Sequence, residues 1–192
     1  MRIAIDLDET VVEFLKGFVN FYNEVYKGDL KLGDFKEFSI AHTLLVGKDE
    51  SKRLRKEYSD TKFFDEMEII EGAKETIDSL GEENEIFFMT AREDFHHEKT
   101  KKFIEQNFPY AKLFFSGDYH GVHKNKDELC KENKIDVLIE DSELSDKYAE
   151  AGIKVVLLDK EWNKHLNHKN IIRVKDWREV MDELARIKNE FR

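Results

Sequence analysis

Six short, nearly unbroken apolar runs set the fold of this 192-residue chain: Arg2 to Leu7, Glu85 to Met89, Lys112 to Phe115, Val137 to Ile139, Lys154 to Leu158 and Ile171 to Val174. Runs that are continuous rather than alternating suit strands buried on both faces of a parallel sheet. Amphipathic helical stretches lie between them, and strand-helix alternation predicts an α/β fold, a Rossmann-like parallel sheet flanked by helices. The last helix is the clearest. Trp177, Val180, Met181, Leu184 and Ile187 recur at three- and four-residue spacing behind a cap at Asp176.

One stretch breaks the alternation. About sixty residues separate the first strand from the next helix-strand unit, far more than a usual connection. The stretch opens on a helical pattern (Phe14, Phe18, Phe21, Tyr22, Val25) and closes on a second helix around Ser51 to Tyr58, followed by Phe63 and Phe64. It predicts a small helical cap inserted after the first strand. The expected division is a core of residues 1–10 and 71–192 and a cap of residues 11–70.

Composition narrows the partners. A net charge of -10 disfavours a nucleic-acid polymer, because that binding needs clustered Lys and Arg to displace counterions. Small anionic ligands remain open where a cation bridges them. Cys130 is the only cysteine, which excludes an intrachain disulfide and suits a reducing compartment. No leader-like segment or membrane-length apolar stretch is present, so a cytoplasmic location without a membrane partner is expected. The oligomeric state is left open.

In an open parallel sheet, ligands bind outside the carboxyl ends of the strands. The first strand ends in Asp6-Leu7-Asp8-Glu9-Thr10, the second in Thr90-Ala91-Arg92 and the fourth in Glu140-Asp141-Ser142, and Lys126 opens the helix before that fourth strand. Asp6, Asp8 and Asp141 gathered at one edge are unfavourable unless a cation or proton intervenes. Mg2+, which takes oxygen ligands from carboxylates, water and phosphate, is the expected cofactor, and a phosphate monoester completes such a site. Magnesium and the Lys126 ammonium would screen the dianion from Asp6, while the Thr90 hydroxyl and the amides after Asp6 would hold its oxygens. The substrate-binding candidates are therefore Thr90, Ala91, Arg92 and Lys126. Lys124 is a rival to Lys126, whose spacing of fifteen residues before Asp141 fits a helix plus a strand. Arg92 either touches phosphate or ties a neighbouring element.

Asp-x-Asp-x-Thr after an apolar strand, a strand-end Thr, a Lys, and an acidic pair after a further strand together resemble the haloacid dehalogenase (HAD) superfamily, in the order of its four motifs. The resemblance implies that Asp6 is a nucleophile forming an aspartyl-phosphate and that Asp8 acts as acid and then base. It also implies that Thr90 binds phosphate, that Lys126 stabilises nucleophile and phosphoryl group, and that Asp141 binds magnesium beside the Asp6 carboxylate and the Asp8 carbonyl. With its cap and its Thr-Ala-Arg segment, the chain is similar to the 5'(3')-deoxyribonucleotidase family and its bacterial nucleotidase relatives. That similarity implies a small phosphate-ester substrate, a (deoxy)nucleoside monophosphate, with its base against cap rings such as Phe14, Phe18, Phe63 and Phe64. Those relatives often carry Gly where Glu9 stands and Asp where Glu140 stands, which leaves the direct metal bond to Asp141 with Glu140 behind it.

Other readings fit less well. The Asp-Leu-Asp-Glu-Thr string also resembles phosphoprotein phosphatases of the superfamily, but a sixty-residue roof favours a small substrate. A receiver-like magnesium- and phosphate-binding switch is a non-catalytic alternative. It would need an acceptor Asp at the end of the third run and a Pro after the lysine, whereas the next acid is Asp118 and the sole proline is Pro109. The histidine pairs His120/His123 and His165/His168 are read as surface residues, since loops lack a face on which the rings converge.

Overall fold

The computed structural model describes residues 1–119 and 122–190, so His120 lies outside the described residues, as does the side chain of His123. In chain order the elements are β1 (Arg2–Ile5), α1 (Phe14–Tyr26), α2 (Ile40–Thr43), α3 (Lys48–Ser59), α4 (Lys62–Asp65), α5 (Ala73–Gly81), β2 (Glu85–Thr90), α6 (His97–Asn107) and β3 (Lys112–Phe115). They continue with β4 (Gly117–Tyr119), β5 (Val122–Lys124), α7 (Lys126–Glu132), β6 (Val137–Glu140), α8 (Ser145–Glu150), β7 (Lys154–Leu158), β8 (Ile171–Val174) and α9 (Trp177–Glu190).

All six apolar runs become strands of one parallel sheet, ordered β3-β2-β1-β6-β7-β8. Strand order reverses at β1, which places a crevice outside the carboxyl ends of β1 and β6. The small antiparallel β4-β5 hairpin was not expected, because its strands are three residues long and mostly polar.

Both sheet faces are covered. One buries Ile3, Ile5, Phe88, Ile139 and Val156 against Ile77, Phe108, Trp177, Val180 and Leu184 of the helical side. The other buries Ala4, Phe87, Leu138 and Val155 against Leu129, Tyr148 and Ala149. Each fully buried side chain of this size contributes about 1.5 to 3 kcal/mol of transfer free energy. The α9 helix starts where Asp176 Oδ1 accepts from the Arg178 and Glu179 amides at 3.0 and 2.9 Å. Its first residue, Trp177, donates from Nε1 to the Thr10 carbonyl at 2.9 Å, so the last helix also braces the loop after β1.

The helices between β1 and β2 form the cap around a separate aromatic cluster of Phe14, Phe18, Phe21, Phe35, Leu54, Tyr58 and Phe64. Tyr58 packs edge-on against Phe14 and Phe18 at 5.3 and 5.7 Å. Val11 and Val12 pack into the main core instead, and Ile70 joins them through a 2.8 Å amide bond to the Val11 carbonyl. One core residue reaches up: Trp162, in the segment after β7, packs with the cap cluster and lies 5.7 Å from the Phe38 ring.

Candidate active site

The loop after β1 is held by backbone geometry before any side chain acts. Leu7 O accepts from the amides of Thr10, Val11 and Val12, folding Asp6 to Val12 into a tight turn. Glu9 carries the strained position of this turn at φ 58°, a left-handed conformation that costs a side-chain-bearing residue roughly 1 kcal/mol. Its carboxylate accepts from the Leu15 amide at 2.8 Å, near the start of α1, and lies 3.6 Å from the Lys160 ammonium. A helix-end hydrogen bond of that kind returns about 0.5 to 2 kcal/mol. Glu9 can therefore stand where glycine fits more easily.

Asp6 sits just past β1, buried, with its amide bonded to the Ile139 carbonyl of β6 at 3.0 Å. Lys126, in the first turn of α7, places its ammonium 2.7 Å from Asp6 Oδ1 and 2.6 Å from Glu140 Oε2. Lys124 does not compete, because it pairs with Glu132 on the surface. Asp6, Glu140 and Asp141 each offer a carboxylate oxygen within 4.8 Å of the others, and all three are buried. Burial pushes all three carboxyls above their ordinary range. Lys126 opposes this at Asp6 and Glu140, whereas the charges of Asp6 and Glu140 raise Asp141 further.

One ammonium thus serves two of the three carboxylates. Asp141 accepts a 3.3 Å hydrogen bond from the Thr10 hydroxyl, and among the described residues no lysine or arginine pairs with it. Its backbone is pinned instead, the carbonyl accepting from Trp162 Nε1 at 2.9 Å and Asn163 Nδ2 at 2.8 Å. An all-oxygen set of three buried carboxylates, two held by Lys126 and the third reached only by the more distant Lys160 charge, fits a hard divalent cation.

Asp8 stands apart from that cluster. Arg92 holds its carboxylate with a fork, Nε at 3.0 and 3.1 Å and Nη2 at 2.5 Å. The third guanidinium nitrogen, Nη1, donates to the Thr100 hydroxyl at 3.0 Å. Of the two roles open to Arg92, the geometry favours the tie: the guanidinium is engaged by protein oxygens, not offered to a phosphate. The buried Thr90 hydroxyl accepts from the Arg92 amide at 3.3 Å, and Ala91 lies between them on the wall of the cleft.

These groups open onto a cleft of about 810 Å³ between core and cap, a size suited to a small organic ligand. Of the rings expected against substrate, Phe14 borders it. Phe18 and Phe64 pack within the cap cluster, and Phe63 lines a different hollow. Phe38, which sequence reasoning passed over, borders the cleft and is 42% exposed. Arg55 of α3 and Glu93 of the segment after β2 also border it, joined at 2.7 and 3.1 Å across the junction of cap and core.

Two histidines outside the expected surface pairs are buried. His97 donates from Nε2 to the Arg92 carbonyl at 2.8 Å. His96 stacks on Phe64 at 4.9 Å, with neither ring nitrogen bonded to a protein partner. Burial, then the neighbouring Arg92 charge, lowers its pKa to about 4, so its ring is neutral. His165 is exposed and His168 half-buried, with its Nδ1 accepting from the Asn170 amide.

A sequence model of the family described as 5' nucleotidase, deoxy (pyrimidine), cytosolic type C protein (NT5C) matches residues 1–190. A nucleotidase of Clostridium acetobutylicum is 29% identical over 182 residues, 94% of this chain and 91% of its own length. Among solved structures, a haloacid dehalogenase-like family hydrolase of Streptococcus pneumoniae superposes with a TM-score of 0.70 at 15% identity, covering 95% of this chain and 97% of that one. The HAD-hydrolase YfnB of Bacillus subtilis, in a structure bound to magnesium, superposes at 0.65 with 17% identity and 95% and 97% coverage. Those two likenesses speak for the fold.

Proposed function

The chain belongs to the 5' nucleotidase, deoxy (pyrimidine), cytosolic type C family, and from that premise we propose that it is a magnesium-dependent phosphomonoesterase acting through an aspartyl-phosphate on (deoxy)nucleoside monophosphates. At the coarser level it is a phosphoric monoester hydrolase of the HAD superfamily. The observation that carries the aspartyl-phosphate reading is the buried carboxylate Asp6, 2.7 Å from Lys126, with Asp141 beside it and Asp8 on the same turn.

In the first half-reaction an Asp6 oxygen bonds to phosphorus, the ester P–O bond breaks, and Asp8 passes a proton to the departing oxygen. In the second, Asp8 takes a proton from water as the water oxygen bonds to phosphorus and the Asp6–phosphorus bond breaks, releasing phosphate. Lys126, fixed between Asp6 and Glu140, holds positive charge where the phosphoryl oxygens must lie. The Thr90 hydroxyl would hold one of those oxygens. The carboxylates of Asp6 and Asp141 and the backbone carbonyl of Asp8 would hold magnesium, which when bound offsets the negative charge of carboxylates and phosphate. For the inserted residues 11–70 we propose the role of a specificity cap, its two ends anchored through Val11, Val12 and Ile70 in the core formed by residues 1–10 and 71–192.

Nothing in the chemical half of the site recognises more than the phosphate end, so choice among esters falls to the cap side. The test is steady-state hydrolysis of a panel of nucleoside monophosphates, sugar phosphates and p-nitrophenyl phosphate with magnesium. A specificity constant for at least one nucleotide tenfold or more above the generic ester is expected. If no nucleotide exceeds the generic ester, the substrate reading fails.

A further inference from the structure

We propose that Arg92 is a positioning residue for the proton transfers of Asp8 and not a ligand of the substrate phosphate, an inference that rests on the reading of Asp8 as acid and base. The Arg92 side chain is 3% exposed, although the residue borders the cleft. All three of its guanidinium nitrogens meet protein oxygens: two on Asp8 and one on Thr100 of α6. The Phe64 ring of α4 covers the guanidinium at 5.2 Å, and the Arg92 carbonyl is itself held by His97. Three parts of the fold, the loop after β1, α4 and α6, thus lock one arginine, and the arginine locks one carboxylate.

The chemistry explains why a fork is needed there. A carboxylate on a short side chain can rotate about its last bond, and proton transfer to a leaving oxygen requires one lone pair or O–H to point along a single line. A planar guanidinium gripping a carboxylate through two nitrogens fixes its plane, which a lysine ammonium, a point charge on a flexible stem, does not. Asp8 keeps 15% of its side chain exposed, and it borders the cleft. The residue is clamped on one side and open on the other.

The two half-reactions use Asp8 differently, and this makes the proposal testable. Nitrophenolate is a stable anion that departs without a proton, whereas a nucleoside alkoxide needs one, and both routes need Asp8 to deprotonate water afterwards. The experiment compares wild type, Arg92→Gln, Arg92→Lys, Asp8→Asn and the Asp8→Asn/Arg92→Gln double variant, by stopped flow with p-nitrophenyl phosphate and by steady state with deoxyuridine monophosphate. For Arg92→Gln the expected result is a burst approaching one nitrophenolate per enzyme at a near wild-type rate, then slow turnover. With the nucleotide, kcat should fall about a hundredfold, within the range of general acid-base catalysis, with KM changed less than about threefold and partial recovery in Arg92→Lys. In the Asp8→Asn background, adding Arg92→Gln should change turnover less than about threefold, because a residue acting only through Asp8 has nothing left to position. This pair of neutral substitutions also avoids leaving one buried charge alone, so it remains informative if Arg92→Gln by itself folds poorly.

A slowed burst with a tenfold or greater rise in KM and in the inhibition constant of inorganic phosphate would overturn the proposal, and so would a further tenfold loss in the Asp8→Asn background. Asp6→Asn separates this from the reading beneath it. Burst and turnover that survive Asp6→Asn sink the aspartyl-phosphate mechanism itself, whereas their loss in Asp6→Asn alongside an unexpected Arg92 result sinks only the role given to Arg92.

Discussion

Lys126 Nζ lies 2.7 Å from Asp6 Oδ1, joining the first turn of α7 to the residue just past β1 across 120 positions of sequence. The lysine is buried and shares its charge with Glu140 at 2.6 Å. Its removal leaves two carboxylates facing each other in a dry site, which costs about 3 to 5 kcal/mol for a broken buried pair. Lys126→Met should therefore lower the melting temperature by roughly 6 to 20 °C for a chain of this size as well as abolish turnover. Thermal unfolding in the absence of substrate checks the first effect independently of the second. A melting temperature within about 2 °C of wild type would mean that the pair contributes little.

Magnesium is expected to stabilise the folded chain. A ligand bound only by the native state adds about 2.7 kcal/mol at a hundred times its dissociation constant. Titrating magnesium should raise the melting temperature by several degrees, and removing it with a chelator should stop hydrolysis. Asp141→Asn should blunt both responses, because Asp141 is the carboxylate of the buried trio that Lys126 does not hold. Full activity in excess chelator would contradict the metal requirement.

His96 gives the chain a defined acid response. Its ordinary pKa near 6.5 is lowered to about 4 in the folded state, where Phe64, Phe14 and Phe95 surround the ring. The unfolded chain then binds a proton that the folded chain refuses, so stability is complete above pH 6.5 and falls as pH drops toward 4. The loss approaches roughly 3 kcal/mol below that window. His96→Phe should remove this component, and the difference between wild-type and variant melting temperatures should grow steadily from pH 7 to pH 4. A difference that does not change with pH would show that the ring titrates in the fold as it does in the unfolded chain.

Phe38 and Phe18 separate recognition from packing. Phe38 borders the cleft, and stacking of a base on such a ring is worth about 1 to 3 kcal/mol, so Phe38→Ala should cut the specificity constant for nucleotides about tenfold to a hundredfold. Hydrolysis of p-nitrophenyl phosphate should stay near wild type. Phe18 is fully buried, and Phe18→Ala should instead cost about 3 to 5 kcal/mol of stability and lower both activities together. Equal losses on both substrates for Phe38→Ala would remove it from recognition.

The sheet, and the gathering of the candidate site residues at one edge of it, were legible because both are properties of chain order. A strand buried on both faces reads as an unbroken apolar run, and residues at its carboxyl end share one edge whatever the loops do. Asp6, Thr90, Glu140 and Asp141 follow from that rule, and Lys126 follows from the length of the helix between it and β6. What was not legible depends on how loops and cap meet across the cleft. Arg92 with Asp8 and Arg55 with Glu93 join residues 84 and 38 positions apart, and no local pattern marks either pair. Phe14 and Phe18 stand one helical turn apart with the same chemistry, yet the first borders the cleft and the second fills the cap. Trp162 and Asn163 offered one clue: they follow β7 at the same carboxyl edge, where they reach the Asp141 carbonyl.

If the Asp6 carboxylate is the group that attacks phosphorus, Asp6→Asn in saturating magnesium should lose turnover. The amide is nearly the same shape and cannot form the acyl phosphate, so the fold should persist, by circular dichroism and thermal melting, while kcat falls by more than about a hundredfold, a barrier rise of at least ~3 kcal/mol. A folded Asp6→Asn protein that keeps more than about a hundredth of wild-type turnover would mean that another group attacks phosphorus.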